Sequence, residues 1–214
     1  MNSKTQKSSI IGPAGALDIA LDLPEGASRG VAVIAHPHPL FGGTLDNKVV
    51  QTLARAFVQT GWTAVRFNFR GVGGSTGSHD EGRGELEDLL AVVQHAAPAG
   101  AGQVPLALAG FSFGAFVTTH AFGRLLASRP VEKLVLVGTS VSRAPAAPID
   151  SAAHQRTLVV HGEQDDTVLL SAVMDWARPQ ALPVTVVPGV GHFFHGQLPL
   201  LKNLVIRHLA SPAA

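Results

Sequence analysis

Short apolar runs rich in β-formers alternate along this chain with longer stretches of helical period, and that alternation admits few folds. Arg29 to His36 (RGVAVIAH), Trp62 to Phe69, Pro105 to Ala109, Val131 to Val137, Leu158 to His161 and Val184 to Val187 read as strands. The first is continuously apolar, as a strand covered on both faces must be. Between them Asp46 opens a helix whose Val50, Leu53, Ala54 and Phe57 share one face, with Gly61 placed to end it. Further helices are expected over Glu85 to Ala97, Phe113 to Ala127, Ser171 to Ala177 and Leu198 to Leu209. Strand, helix, strand in succession calls for a mostly parallel sheet with crossover helices on its faces. Ile10 to Ile11 and Leu17 to Leu23, separated by Gly-Pro-Ala-Gly, alternate with period two and read as an antiparallel pair at the start. The expectation is one α/β domain over residues 1–214 with eight strands, in which 138–156 is a loop or a very short helix.

Composition removes several classes. With 14% charged and 46% hydrophobic residues the chain is not of the disordered type. A net charge of +1 offers no field to attract phosphate backbones or anionic lipid, so no nucleic-acid or membrane partner is expected. There is no cysteine, which excludes disulfides and thiolate chemistry. The opening MNSKTQKSSIIG has no apolar signal-peptide core, and no window approaches the roughly 18 apolar residues of a membrane helix. A soluble, cytoplasmic protein is expected.

Gly110-Phe111-Ser112-Phe113-Gly114 matches G-x-S-x-G between an apolar strand and a helix. That setting is a sharp strand-to-helix elbow which exposes a serine hydroxyl in strained backbone, the glycines being there to avoid clashes. A nucleophilic serine needs a base and an acid to orient it. His161-Gly-Glu163-Gln164-Asp165-Asp166 follows a later strand and supplies three carboxylates, of which Asp165 is preferred as the acid, Asp166 is the alternative and Glu163 reads as a solvated charge. Gly189-Val190-Gly191-His192 follows the next strand in a loop able to bend back over the sheet, which makes His192 the candidate base and His195 its rival.

The serine elbow, HGEQD and GVGHFF stand in the order and spacing of the α/β-hydrolase family, a resemblance that covers nearly the whole chain. More narrowly, HPHPLFGGTLDNKVVQTLARAF and AVRFNFRGVGGSTGSHDEG resemble small bacterial serine hydrolases without a lid, related to dienelactone hydrolase-like esterases. The resemblance implies the α/β-hydrolase fold without a cap domain, Ser112 as nucleophile, Asp165 as triad acid and His192 as base. It also implies an oxyanion hole built from the Phe113 N–H and one N–H of the loop after His36. Pro37 and Pro39 cannot donate, which leaves His38, Leu40 or Phe41. Dienelactone hydrolases carry cysteine at the elbow and other members of the fold aspartate, and Ser112 departs from both. Only 138–156 stands where larger relatives insert a cap, so the site should open to water. The implied activity is cofactor-free hydrolysis of small, short-acyl esters or thioesters.

Phe41, Phe193 and Trp176 are candidates for the lining of an apolar substrate pocket. Arg70 reads as a structural partner of loop carbonyls or a binder of substrate carboxylate. Three rival readings remain weaker. His36 and His38 form an H-x-H pair that His192 or His195 would have to complete as a metal site, but the further ligands such hydrolases need are missing. Gly71, Gly73 and Gly74 suggest a nucleotide loop without the strand-turn-helix that follows one, so a turn is expected. A non-catalytic binding protein on the same fold is the last.

Overall fold

The structure is a computed structural model, and it describes residues 5–100, 103–142 and 144–211. Eight strands, β1 (Gln6–Gly12), β2 (Gly15–Asp22), β3 (Val31–Ala35), β4 (Thr63–Phe67), β5 (Leu106–Phe111), β6 (Lys133–Val137), β7 (Thr157–Gly162) and β8 (Val184–Val187), form one sheet in the order β1-β2-β4-β3-β5-β6-β7-β8. β1 runs antiparallel to β2, with Ile10 opposite Leu17, and β2 runs antiparallel to β4; every other neighbouring pair is parallel. Helices α1 (Lys48–Gln59) and α5 (Leu198–Ala210) cover one face. α2 (Arg83–Ala96), α3 (Phe113–Leu126) and α4 (Leu170–Ala177) cover the other, so each face has its own apolar core.

The boundaries differ from the sequence reading where local hydrogen bonding overrides apolar pattern. β1 begins at Gln6, four residues before the alternation is visible, because an edge strand with exposed side chains is held by its backbone pairing, Lys7 opposite Ala20 and Ser9 opposite Asp18. α1 begins at Lys48, not Asp46: the Asn47 side chain accepts from the Val49 and Val50 N–H groups, while Asp46 instead pairs with Lys7 and Arg66. α2 begins at Arg83 because the Glu85 carboxylate reaches back 2.8 Å to the Gly82 N–H and closes the first turn. Gly61 follows α1 with φ +87°, the left-handed stop its position suggested.

Three subsidiary readings resolve here. Gly71 to Gly74 form a turn in which the Asp18 carboxylate accepts the Gly74 N–H at 2.7 Å. Arg70 grips the buried Asp88 of α2 through two guanidinium nitrogens at 2.8 and 3.0 Å, so its partner is a carboxylate and not loop carbonyls. The connection from β6 to β7 holds a single short 3₁₀ turn, Ser151–Arg156, among its described residues. No helix among the described residues is long and apolar enough to cross a membrane.

Candidate active site

The ends of the parallel strands converge on Ser112, between β5 and α3, as ligand sites do at the carboxyl edge of such sheets. Ser112 adopts φ 58°, ψ −119°, backbone that side chains other than glycine rarely take and that costs about 1–3 kcal/mol. The surroundings enforce it. The Ser112 N–H donates to Val137 O of β6 at 2.9 Å, and its carbonyl accepts from the Phe116 and Ser140 N–H groups. A Cβ on Gly110 would meet the Gly114 carbonyl at 2.5 Å, and one on Gly114 would meet His36 O at 2.4 Å. The two glycines therefore let the first turn of α3 sit directly on β5 and on the end of β3.

His192 comes from the loop after β8, and two buried side chains pin that loop, Val190 and Phe194, both in the α1/α5 core. Phe194 holds φ 52° to turn inward while Phe193 turns out. Gly162, at the end of β7, makes room for the loop: a Cβ there would lie 2.3 Å from Val190 O. The Gln164 N–H donates to Val190 O, and Glu163, exposed as expected, accepts the Gly189 N–H at 2.8 Å. Gly189 supplies the bend with φ +69°, whereas Gly191 is not in left-handed backbone and has room for a Cβ. The His192 ring lies over Gly138, whose absent Cβ would stand 3.2 Å from Cε1, and against Phe111 with centroids 4.9 Å apart.

Asp165 heads the turn after β7. Its Oδ1 accepts the Thr167 and Val168 N–H groups at 3.0 and 2.8 Å, and its Oδ2 accepts His192 Nδ1–H at 2.6 Å. Burial pushes this carboxyl upward, but the bonds from His192 and Val168 outweigh burial and hold it below the ordinary aspartate value. It stays ionised, and with Nδ1 as the donor the neutral imidazole turns a lone pair on Nε2 toward Ser112 Oγ, 2.9 Å away. Such a line can draw the hydroxyl proton onto the ring and stabilise the imidazolium that forms. Asp166 and His195 are exposed and stand outside it.

The loop after β3 bears the other candidate residues. His36 is fully buried; its Nδ1–H donates to Pro37 O at 2.6 Å and its Nε2 accepts the Phe69 N–H at 3.0 Å. Burial pushes its pKa down to about 4, opposed by the Pro37 bond and aided by the nearby His38. Both ring nitrogens are engaged, so the H-x-H pair does not present two lone pairs to a metal. The Leu40 N–H turns to His38 Nδ1 at 3.3 Å and the Phe41 N–H to His38 O at 3.1 Å. The Phe113 N–H lies in the first turn of α3, where no intrahelical acceptor exists.

Of the candidate pocket residues, Phe193 is 44% exposed beside the His192 ring, at 5.1 Å, and Phe41 is exposed with its ring 4.7 Å from that of His38. Trp176 packs from α4 against the α2/α3 core and is in a structural place. Sequence reasoning missed Gly162 and Phe194 as the groove and anchor of the histidine loop. The dipeptides His161-Gly162 and Phe193-Phe194 were the available signals. A concavity of about 470 Å³ lined by Asp22, Gln51, Arg55 and Arg66 lies at the opposite ends of the strands and includes none of these residues.

Residues 38–156, more than half of the chain, match the α/β-hydrolase fold family. A lidless α/β serine hydrolase of Xanthomonas campestris is 35% identical and superposes with a TM-score of 0.82, covering 99% of both chains. An α/β serine hydrolase homologue of Coxiella burnetii is 38% identical, with a TM-score of 0.81 over 96% of this chain and 97% of that one. An uncharacterized protein of Rickettsia prowazekii is 37% identical over 106 residues, 50% of this chain and 44% of that protein, so the match spans less than half the length of this curated relative. A family match over most of the chain, together with two full-length structural likenesses that carry serine-hydrolase architecture, establishes that this chain belongs to the α/β-hydrolase family.

Proposed function

We propose that the protein is a serine hydrolase of the carboxylesterase type acting on small, short-acyl esters or thioesters, with Ser112 as nucleophile, His192 as general base and Asp165 as the acid that orients it. The observation that carries this reading is the line from Asp165 Oδ2 to His192 Nδ1 to Ser112 Oγ, at 2.6 and 2.9 Å, on a strained serine turn. Ser112 Oγ adds to the carbonyl carbon as its proton passes to His192 Nε2. The oxyanion is held by the N–H groups of Phe113 and, among the loop candidates, His38. Collapse of the tetrahedral intermediate expels the alcohol or thiol, which takes the proton from His192. Water then repeats the sequence on the acyl-enzyme. The short β6–β7 connection supports an open site suited to small acyl groups.

Exposure to a fluorophosphonate followed by peptide mapping tests it. Ser112 should carry the label, and Ser112→Ala should abolish labelling and lower turnover by up to about 10⁶. Label on another serine, or full activity in the alanine variant, refutes the assignment.

A further inference from the structure

Against Phe113, the residue after the serine, and on elements that the mechanism above does not use, lies a second carboxylate–imidazole pair. Glu85 of α2 is fully buried and accepts three hydrogen bonds: from His79 Nδ1–H at 2.8 Å, from the Asp80 N–H at 2.9 Å and from the Gly82 N–H at 2.8 Å. The turn that presents His79 is tightly fixed. Asp80 caps the Gly84 N–H, and a Cβ on Gly82 would strike the Phe116 ring at 2.7 Å. The His79 ring is thus held from behind by a buried anion and from below by rigid backbone.

What that ring touches gives it a role. Its centroid lies 4.6 Å from the His38 ring and 5.4 Å from the Phe113 ring, and the His38 and Phe113 rings are 4.8 Å apart. These are spacings of packed aromatic contacts. His38 and Phe113 are the two residues whose N–H groups the proposed mechanism aims at the oxyanion. They come from different elements, the loop after β3 and the first turn of α3, which approach each other closely at Gly114. A third ring packed against both side chains fixes the spacing of the two amides.

We propose that His79, oriented by Glu85, is a positioning residue that sets the separation of the oxyanion donors by packing its ring against His38 and Phe113. The inference rests on the serine-hydrolase reading. It adds to that reading a residue from the loop before α2 which touches neither the serine nor the base. Donors aimed at the transition state act mainly on kcat, because the ground-state carbonyl makes weaker use of them.

The test compares wild type, His79→Ala and His79→Phe on a p-nitrophenyl ester, with a trifluoromethyl ketone as a probe that forms a tetrahedral adduct on serine. His79→Ala should lower kcat by about 10- to 100-fold, short of the 10²–10³ that outright loss of a donor costs, with KM within about twofold. The Ki of the ketone should rise in proportion to the fall in kcat/KM. His79→Phe keeps a ring but gives up the bond to Glu85 that orients it, so its kcat should fall between those of the alanine variant and wild type. Unchanged kcat in His79→Ala, a loss confined to KM, or a phenylalanine variant as impaired as the alanine one overturns the proposal. A wild-type protein that is inactive and unlabelled at Ser112 would instead overturn the serine-hydrolase reading, and this proposal with it.

Discussion

Acidification should unfold this protein earlier than its salt bridges alone would, and His36 gives the effect a size. In the fold its imidazole is neutral, donating to Pro37 O and accepting from Phe69 N–H, with a pKa of about 4 against an ordinary 6.5. A depressed histidine value means that the unfolded chain binds the proton more readily. Its contribution is therefore complete above about pH 6.5 and drains away as pH falls toward 4. Integrating between those two values, about 2 kcal/mol should be lost between about pH 7.5 and about pH 5, and about 3 kcal/mol once the pH lies below both. His161, also pushed down by burial, and His208, at about 4, contribute in the same direction, so the comparison must be differential. Urea denaturation of wild type and His36→Gln at the two pH values supplies it, since glutamine offers a donor and an acceptor but no titrating group. The variant should be less stable at the higher pH, and its decline on acidification should be about 2 kcal/mol smaller than that of wild type. Equal declines in the two proteins would refute the reasoning.

Other outcomes follow from the site. Asp165→Asn should reduce kcat by about 10⁴, while Asp166→Asn, exposed and outside the hydrogen-bonded line, should cost little; the reverse ranking in steady-state kinetics would move the acid by one residue. Gly162→Ala places a Cβ 2.3 Å from Val190 O, which must push the His192 loop outward, and a misplacement of about 1 Å should lower kcat about 10²-fold. Circular dichroism checks that this variant remains folded. A p-nitrophenyl ester series should show kcat/KM highest at acyl chains of about two to six carbons and no jump at micelle formation, because each further methylene gains its ~0.8 kcal/mol only where walls receive it. A maximum at long chains would mean a deep acyl tunnel.

The parts legible from sequence were those that local chemistry encodes. A serine between glycines at a strand-to-helix junction has few other uses, and carboxylates and a histidine that follow later strands in glycine-bearing loops must lie at the same sheet edge as that serine. His192 accordingly stands within hydrogen-bond reach of both Ser112 and Asp165. What escaped depends on contacts between distant segments. Nothing in Gln6 to Ser9 alternates, and these residues form a strand only because β2 is there to pair with them. Leu40 reads as able to donate into the site as His38 does, and no sequence pattern foretells that its N–H turns to the His38 ring. Glu85 reads in the sequence only as the start of a helix; its bond to His79, six residues earlier, needs the whole turn to become visible. Trp176 reads as a candidate pocket residue from its apolar ring alone, whereas α4 lays it, half-buried, against the α2/α3 core.

The sheet order divides the site between regions of unequal persistence. Ser112 follows β5, flanked by strands on both sides, whereas His192 follows β8, a four-residue strand at the border that pairs with β7 alone. Border strands exchange their amide protons through small openings, and central ones only through complete unfolding. Mild denaturant should therefore release the imidazole while the hydroxyl keeps its place. The molecule would then pass reversibly through a folded but silent form, and its catalytic melting curve would precede its spectroscopic one.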